Sequence, residues 1–142
     1  MIDPTMFDAD FEEYLRRIAT LTDEVLIPAE QEMVEAGHVP EHVMDALVRH
    51  GLFGISIPRD LGGLEWSMVE QVRLTMEFTR ASCVYRSRFS TVIGLCSQAI
   101  LDHGTDAQRK EMLPAMAAGE LVTAFALTEP EAGSDAASLR TT

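Results

Sequence analysis

The residues best suited to chemistry form one run near the carboxyl end, Thr128-Glu129-Pro130-Glu131-Ala132-Gly133-Ser134-Asp135. Pro130 fixes the backbone, Gly133 admits conformations closed to other residues, and Thr128 and Ser134 place hydroxyls beside amides that can point at an anion. Such a run is a binding loop by composition, and the same residue types also build ordinary polar turns. Its carboxylates, Glu129 and Asp135, read as groups that hold the loop through local hydrogen bonds rather than as a catalytic base.

Other constellations carry less. His38 and His42 have the i,i+4 spacing of a helical metal pair, but Pro40 between them marks a helix start, so the rings do not share a face and no metal site is expected. Asp102 and His103 with Ser97 supply the residue types of a catalytic triad without a nucleophile elbow, and His103 reads as the cap of a helix end. No G-x-G-x-x-G follows a strand, so a Rossmann dinucleotide fingerprint is missing. Cys83 and Cys96 have neither metal-ligand spacing nor the density of a disulfide scaffold, and both are read as buried free thiols.

The elements that must position the loop are helical almost throughout. Phe11, Leu15, Ile18, Thr22 and Val25 recur at steps of three and four, which predicts a long amphipathic helix from about Asp8 to Ala36, kinked or interrupted at Pro28 and ended by Gly37. A short helix follows from Pro40 to a Gly51 stop, with Val43, Leu47 and Val48 on one side. Phe53 to Gly63 reads as an ordered loop. Ser67 and Glu70 form a capping box that starts a third helix, in which Val69, Val72 and Met76 fall at helical steps. From about Val84 to His103, Phe89, Val92, Ile93, Cys96 and Ile100 share one face, and Leu95, Ala99 and Leu101 make that helix apolar nearly all round, as suits a central helix or a subunit contact. Gly104 ends it, Thr105 and Gln108 cap another helix, and Pro114 is expected to break that helix early. Leu121 to Leu127 reads as the one strand, and because a lone strand cannot bury itself, the sequence predicts a sheet supplied by chain beyond Thr142.

With 142 residues and 46% hydrophobic side chains, the chain suits one globular core. Its net charge of −12 repels phosphate backbones and anionic leaflets, which argues against nucleic-acid and membrane-surface partners. No apolar stretch approaches the length of a membrane span. The amino terminus is acidic where a secretory or transit signal would be basic, and this points to a cytoplasmic location.

The order of residues in the candidate loop narrows the reading. Leu127-Thr128-Glu129-Pro130, a short spacer and Gly133-Ser134-Asp135 resemble the signature of the acyl-CoA dehydrogenases, in the position after a strand that it has in that family. Ile57-Pro58-Arg59-Asp60-Leu61-Gly62-Gly63 is similar to the family's loop between helices, although Leu61 replaces the usual aromatic and Arg59 a usual acid. His103 to Arg109, Leu113-Pro114 and Gly119-Glu120 resemble the segment leading into the family's first strand. The resemblance covers essentially the whole chain, but only the amino-terminal third or so of a family member.

The resemblance implies an all-α amino-terminal helical-bundle domain over residues 1–120, and over 121–142 the first strand and flavin loop of an incomplete β-domain. It implies a flavoenzyme that converts an acyl-CoA to its trans-2-enoyl product and passes electrons through FAD to an electron-transfer flavoprotein, in a homotetramer. Phe125, Ala126, Leu127, Thr128, Gly133 and Ser134 are then the cofactor-binding positions, Thr128 bonding the ring system and Ser134 also reaching the CoA part of the substrate. The family's catalytic glutamate belongs to a carboxy-terminal helical domain that these residues do not contain, so no catalytic residue is assigned and the isolated chain is expected to be inactive. The alternatives are an acyl-CoA oxidase or flavin monooxygenase on the same scaffold, and a non-catalytic helical module binding a partner through the face around Phe89 to Ile100.

Overall fold

Asp10 starts the first long helix. Its carboxylate accepts the Glu13 amide at 2.8 Å, and the helix buries Phe11, Tyr14, Ile18 and Leu21 on one side. The computed structural model describes residues 1–141, and among them the chain is built from eight α-helices and short connecting turns. These are α1 (Thr5–Asp8), α2 (Phe11–Leu21), α3 (Glu30–Ala36), α4 (Glu41–Arg49), α5 (Met68–Phe78), α6 (Cys83–Thr91), α7 (Ser97–His103) and α8 (Asp106–Ala117). No helix among the described residues is long and apolar enough to cross a membrane.

The long helix expected from Asp8 to Ala36 is divided where Pro28 requires it. After α2 the turn widens over Thr22–Leu26, so that the Ile27 amide reaches back five residues to the Thr22 carbonyl at 3.0 Å, and α3 begins only at Glu30. Proline has no amide to continue the regular ladder, and the wide turn absorbs that gap. The same device divides the second long run. α6 and α7 are joined by a wide turn over Val92–Cys96, and the Ser56 and Ser97 hydroxyls both donate to the Ile93 carbonyl there, at 2.7 and 2.9 Å.

The capping boxes at Ser67 with Glu70 and at Thr105 with Gln108 form as the sequence predicts. One expectation about helix ends does not survive packing. Pro114 lies inside α8 without ending it, because Leu113, Met116 and Ala117 around it are buried against the rest of the bundle and outweigh one lost backbone hydrogen bond. In α5 the core side belongs to Leu74 and Phe78, whereas Val69, Val72 and Met76 face outward.

The segment between α4 and α5 is the ordered loop that its sequence predicts. It folds back on itself, with the Leu64 amide on the Gly54 carbonyl at 2.8 Å and the Trp66 amide on the Ile55 carbonyl at 2.8 Å. At Gly63 the two passes come so close that a Cβ would lie 2.0 Å from the Ile57 carbonyl oxygen, so no larger residue fits without moving backbone. The loop ends in Trp66, which packs edge-on to Phe11 at 5.2 Å between ring centres and against Tyr14 at 5.4 Å. Phe89 of α6 meets Phe53 and Phe78 in the same way, so one aromatic spine ties loop, α5 and α6 together.

Candidate functional site

The candidate loop is reached by an arm that leaves the bundle after α8. The Glu120 and Leu121 amides still bond the Ala115 carbonyl, at 2.9 and 3.1 Å, and beyond them residues 122–128 have no regular secondary structure. The strand expected from Leu121 to Leu127 does not form among the described residues, since no neighbouring strand is present to complete its ladder. Its apolar side chains Val122, Phe125 and Leu127 are exposed.

The arm turns sharply at Pro130. Glu129 and Ala132 exchange backbone hydrogen bonds of 2.9 and 3.2 Å across a tight turn that buries Ala132. The Glu129 carboxylate then accepts the main-chain amides of Arg140, at 3.0 Å, and Thr141, at 2.8 Å, together with the Thr141 hydroxyl. Asp135 accepts the Ser138 hydroxyl at 2.5 Å. Both carboxylates therefore hold the loop, as their setting in the sequence suggests. The Thr141 hydroxyl and then the two amides hold the Glu129 carboxyl below the usual glutamate range. Arg140 and Thr141 carry no sequence signal for this role, because they lie eleven and twelve residues away and act chiefly through backbone amides, with the Thr141 hydroxyl added.

The turn brings Thr128 and Gly133 together: the Thr128 methyl is 4.0 Å from where a Cβ on Gly133 would lie. Gly133 is not in the left-handed region, which corrects the expectation that a special backbone angle requires glycine there. Its value lies in the open space beside Thr128. Phe125, Ala126, Leu127, Thr128, Gly133 and Ser134 are all exposed, on one short stretch of chain. The backbone amides and carbonyls of residues 122–128 have no protein partner among the described residues. The stretch therefore carries exposed apolar side chains, two hydroxyls and unpaired backbone amides, groups able to contact the face and the polar edge of a heteroaromatic ring. At its base the arm borders a cleft of about 170 Å³ lined in part by Phe53, Arg88, Thr91, Val92 and Thr123, a feature no spacing in the sequence announces.

The other residue sets are placed elsewhere. The Ser97 hydroxyl is buried on the Ile93 carbonyl and Asp102 accepts from Gln98, so neither faces His103. His38 lies against the Ala36 carbonyl at 3.0 Å and His42 4.0 Å from Glu32. No group of three His, Cys, Asp or Glu side chains converges on a metal position among the described residues. Both cysteines are free; Cys96 is buried as expected, but Cys83 is exposed because it opens α6 on its solvent side.

Comparison with known proteins adds the context that this geometry lacks. Residues 8–120 match the family model described as the acyl-CoA dehydrogenase N-terminal domain. The chain is 34% identical over 143 residues to the CarC subunit of the caffeyl-CoA reductase-Etf complex of Acetobacterium woodii, covering 96% of this chain and 37% of that protein. It is 34% identical over 117 residues to an acyl-CoA dehydrogenase of Bacillus subtilis, covering 82% and 31%. Among solved structures, butyryl-CoA dehydrogenase from Megasphaera elsdenii superposes with a TM-score of 0.76 at 25% identity, over 94% of this chain and 36% of that one. The chain thus spans about a third of the length of the relatives it matches.

Proposed function

The chain belongs to the acyl-CoA dehydrogenase family, whose amino-terminal domain it carries, and from that premise we propose that it is the amino-terminal part of a flavin-dependent enzyme oxidising an acyl-CoA thioester between its α and β carbons. Residues 1–120 are the helical domain and 121–142 the start of a β-domain, with Thr142 outside the described residues. The observation that supports this reading most is the exposed arm from Phe125 to Ser134, whose partners are missing from the bundle that carries it.

FAD, when bound, supplies the acceptor for the β-hydrogen as hydride, while the α-proton goes to a base that these residues do not provide. The chain's own part is binding. The Thr128 hydroxyl and neighbouring amides would hold the polar edge of the ring, Phe125 and Leu127 would shield it from water, and Ser134 would serve both the cofactor and the CoA part of the substrate. The helical bundle fixes the root of the arm through the Ala115 carbonyl. An electron-transfer flavoprotein as acceptor, a homotetramer and a cytoplasmic location belong to the same proposal; a relative named as a subunit of an Etf complex supports the first.

The test uses the longest product of the reading frame that encodes this sequence. It is expected to purify with flavin and to oxidise an acyl-CoA with a dye acceptor, whereas the 142-residue chain alone turns over none. Thr128→Val and Ser134→Ala, both exposed, are each expected to weaken flavin binding about tenfold without lowering the melting temperature. A flavin-free product, or turnover by the 142-residue chain, overturns the reading. Oxygen consumption in place of dye or carrier reduction identifies an oxidase or a monooxygenase on the same scaffold.

A further inference from the structure

The cleft at the root of the arm is lined by Val122 and Thr123 of the arm itself and by Arg88 and Thr91 of α6, with Phe53 and Val92 adding apolar surface. Arg88 is the only ionisable side chain on this lining. It enters no ion pair among the described residues, in a protein with 23 acidic side chains against 11 Lys and Arg. Two other clefts differ in this respect, because the one beside Arg17 and His50 contains Glu24, and the one beside His42 contains Glu24 and Glu32. The Thr123 hydroxyl oxygen is sealed from water and has no hydrogen-bond partner among the described residues, a costly state for a polar atom. An unpaired cation and an unpaired hydroxyl beside apolar side chains suit a short carbon chain that ends in oxygen acceptors. The cleft's volume of about 170 Å³ is roughly that of five or six water-sized groups.

We propose that this cleft receives the acyl group of the substrate, and that Arg88 selects acyl-CoA thioesters of short dicarboxylic acids by pairing with the free carboxylate at the far end of the chain. This deepens the dehydrogenase reading above and rests on it. A carboxylate matches the planar fork of a guanidinium through two parallel hydrogen bonds, and it can accept the Thr123 hydroxyl as well. The apolar lining takes the methylenes in between. Phe125, the first of the proposed flavin-contacting positions, follows Thr123 by two residues, so a chain anchored at its far end keeps its thioester end beside the arm. The phosphates of CoA or FAD are poorer occupants, because a pyrophosphate with its nucleoside exceeds this volume and gains nothing from the apolar lining. A monocarboxylic chain of the same length leaves Arg88 and Thr123 unpaired, so selection works by rejection as well as by attraction.

The experiment compares glutaryl-CoA with pentanoyl-CoA on the longest product of the reading frame that encodes this sequence. These five-carbon thioesters differ only at the far end, carboxylate against methyl. Dissociation constants are measured by calorimetry for both, and kcat/KM wherever there is turnover. The parent is expected to prefer glutaryl-CoA by about fiftyfold or more, and Arg88→Gln to reduce that preference below about fivefold. Thr123→Val is expected to lower the preference about fivefold without lowering the melting temperature, since it removes a hydroxyl that has no partner in the protein. Lys110→Gln, the same loss of charge at a residue outside the cleft, is expected to keep the parent's preference. A parent without preference, or a preference that survives Arg88→Gln, overturns the proposal. So does an Arg88→Gln that weakens both thioesters equally, which assigns the arginine to the CoA phosphates, or one that releases flavin, which assigns it to FAD. Arg88-dependent binding of glutaryl-CoA without oxidation of either thioester keeps the acyl site and removes the dehydrogenase. Turnover of acyl-CoA with no role for Arg88 does the reverse.

Discussion

The Glu129 carboxylate accepts the main-chain amide of Thr141 at 2.8 Å, twelve residues away, and so closes the loop that carries Gly133 and Ser134. Because the Thr141 hydroxyl and the Arg140 and Thr141 amides bind the charged form, the carboxyl stays ionised to lower pH than in the unfolded chain. The closure is therefore fully present above the ordinary glutamate value of 4.5 and is lost as pH falls through the lowered one. Amide exchange at Arg140 and Thr141 is expected to accelerate over that acid range, and Glu129→Gln is expected to show fast exchange already at neutral pH. Equal exchange in the two proteins at pH 7 removes Glu129 from this role.

Burial lowers the His50 pKa below its ordinary 6.5, opposed in part by the bond from its ring to the Ala46 carbonyl. The unfolded chain then binds a proton more readily than the folded one, so this histidine's contribution is complete above pH 6.5 and declines as pH falls through the lowered value. Between pH 6.5 and 5 the melting temperature of the parent should fall more steeply than that of His50→Gln. Parallel curves rule the histidine out as the source.

Tyr14 is fully buried, and its hydroxyl donates to the His50 carbonyl at 2.9 Å, linking α2 to the end of α4. Tyr14→Phe keeps the ring against Trp66 but leaves that bond unmade, at a cost of about 1 to 2 kcal/mol in denaturant unfolding. An unchanged midpoint shows that the carbonyl finds another partner.

Gly63→Ala inserts a methyl where only 2.0 Å separates it from the Ile57 carbonyl oxygen. The loop must open, and the expected loss is roughly 3 kcal/mol, at the upper end for overpacking. Gly37→Ala is the contrasting case: unlike Gly63 it has a positive φ, 70°, and nothing within 4 Å, so its smaller loss measures backbone strain without a clash.

Ser56 donates to the Ile93 carbonyl at 2.7 Å across 37 residues, and Ser97 shares that acceptor. Either serine replaced by alanine leaves one donor in place, so each single change should cost about 0.5 to 1 kcal/mol. The double change leaves the carbonyl without either hydroxyl and should cost more than the sum. Simple additivity in a thermodynamic cycle argues against a shared role.

The sequence by itself determined what depends on neighbours along the chain. Helix periodicity, the two capping boxes, the interruption at Pro28 and the glycine stops are all local, set by backbone sterics and by side chains within four residues. The order of residues from Leu127 to Asp135 also announced the candidate site before any geometry was available. Only the tertiary structure decided what depends on distant partners. Pro114 was kept inside α8 by burial of the side chains around it, and Leu121 to Leu127 stayed unpaired because a strand exists only with a neighbour. Apolar periodicity cannot say which of two apolar faces of α5 meets the core, since Leu74 with Phe78 and Val72 with Met76 satisfy the same helical spacing. Packing against α2 and α6 settled that choice and left the second stripe in water.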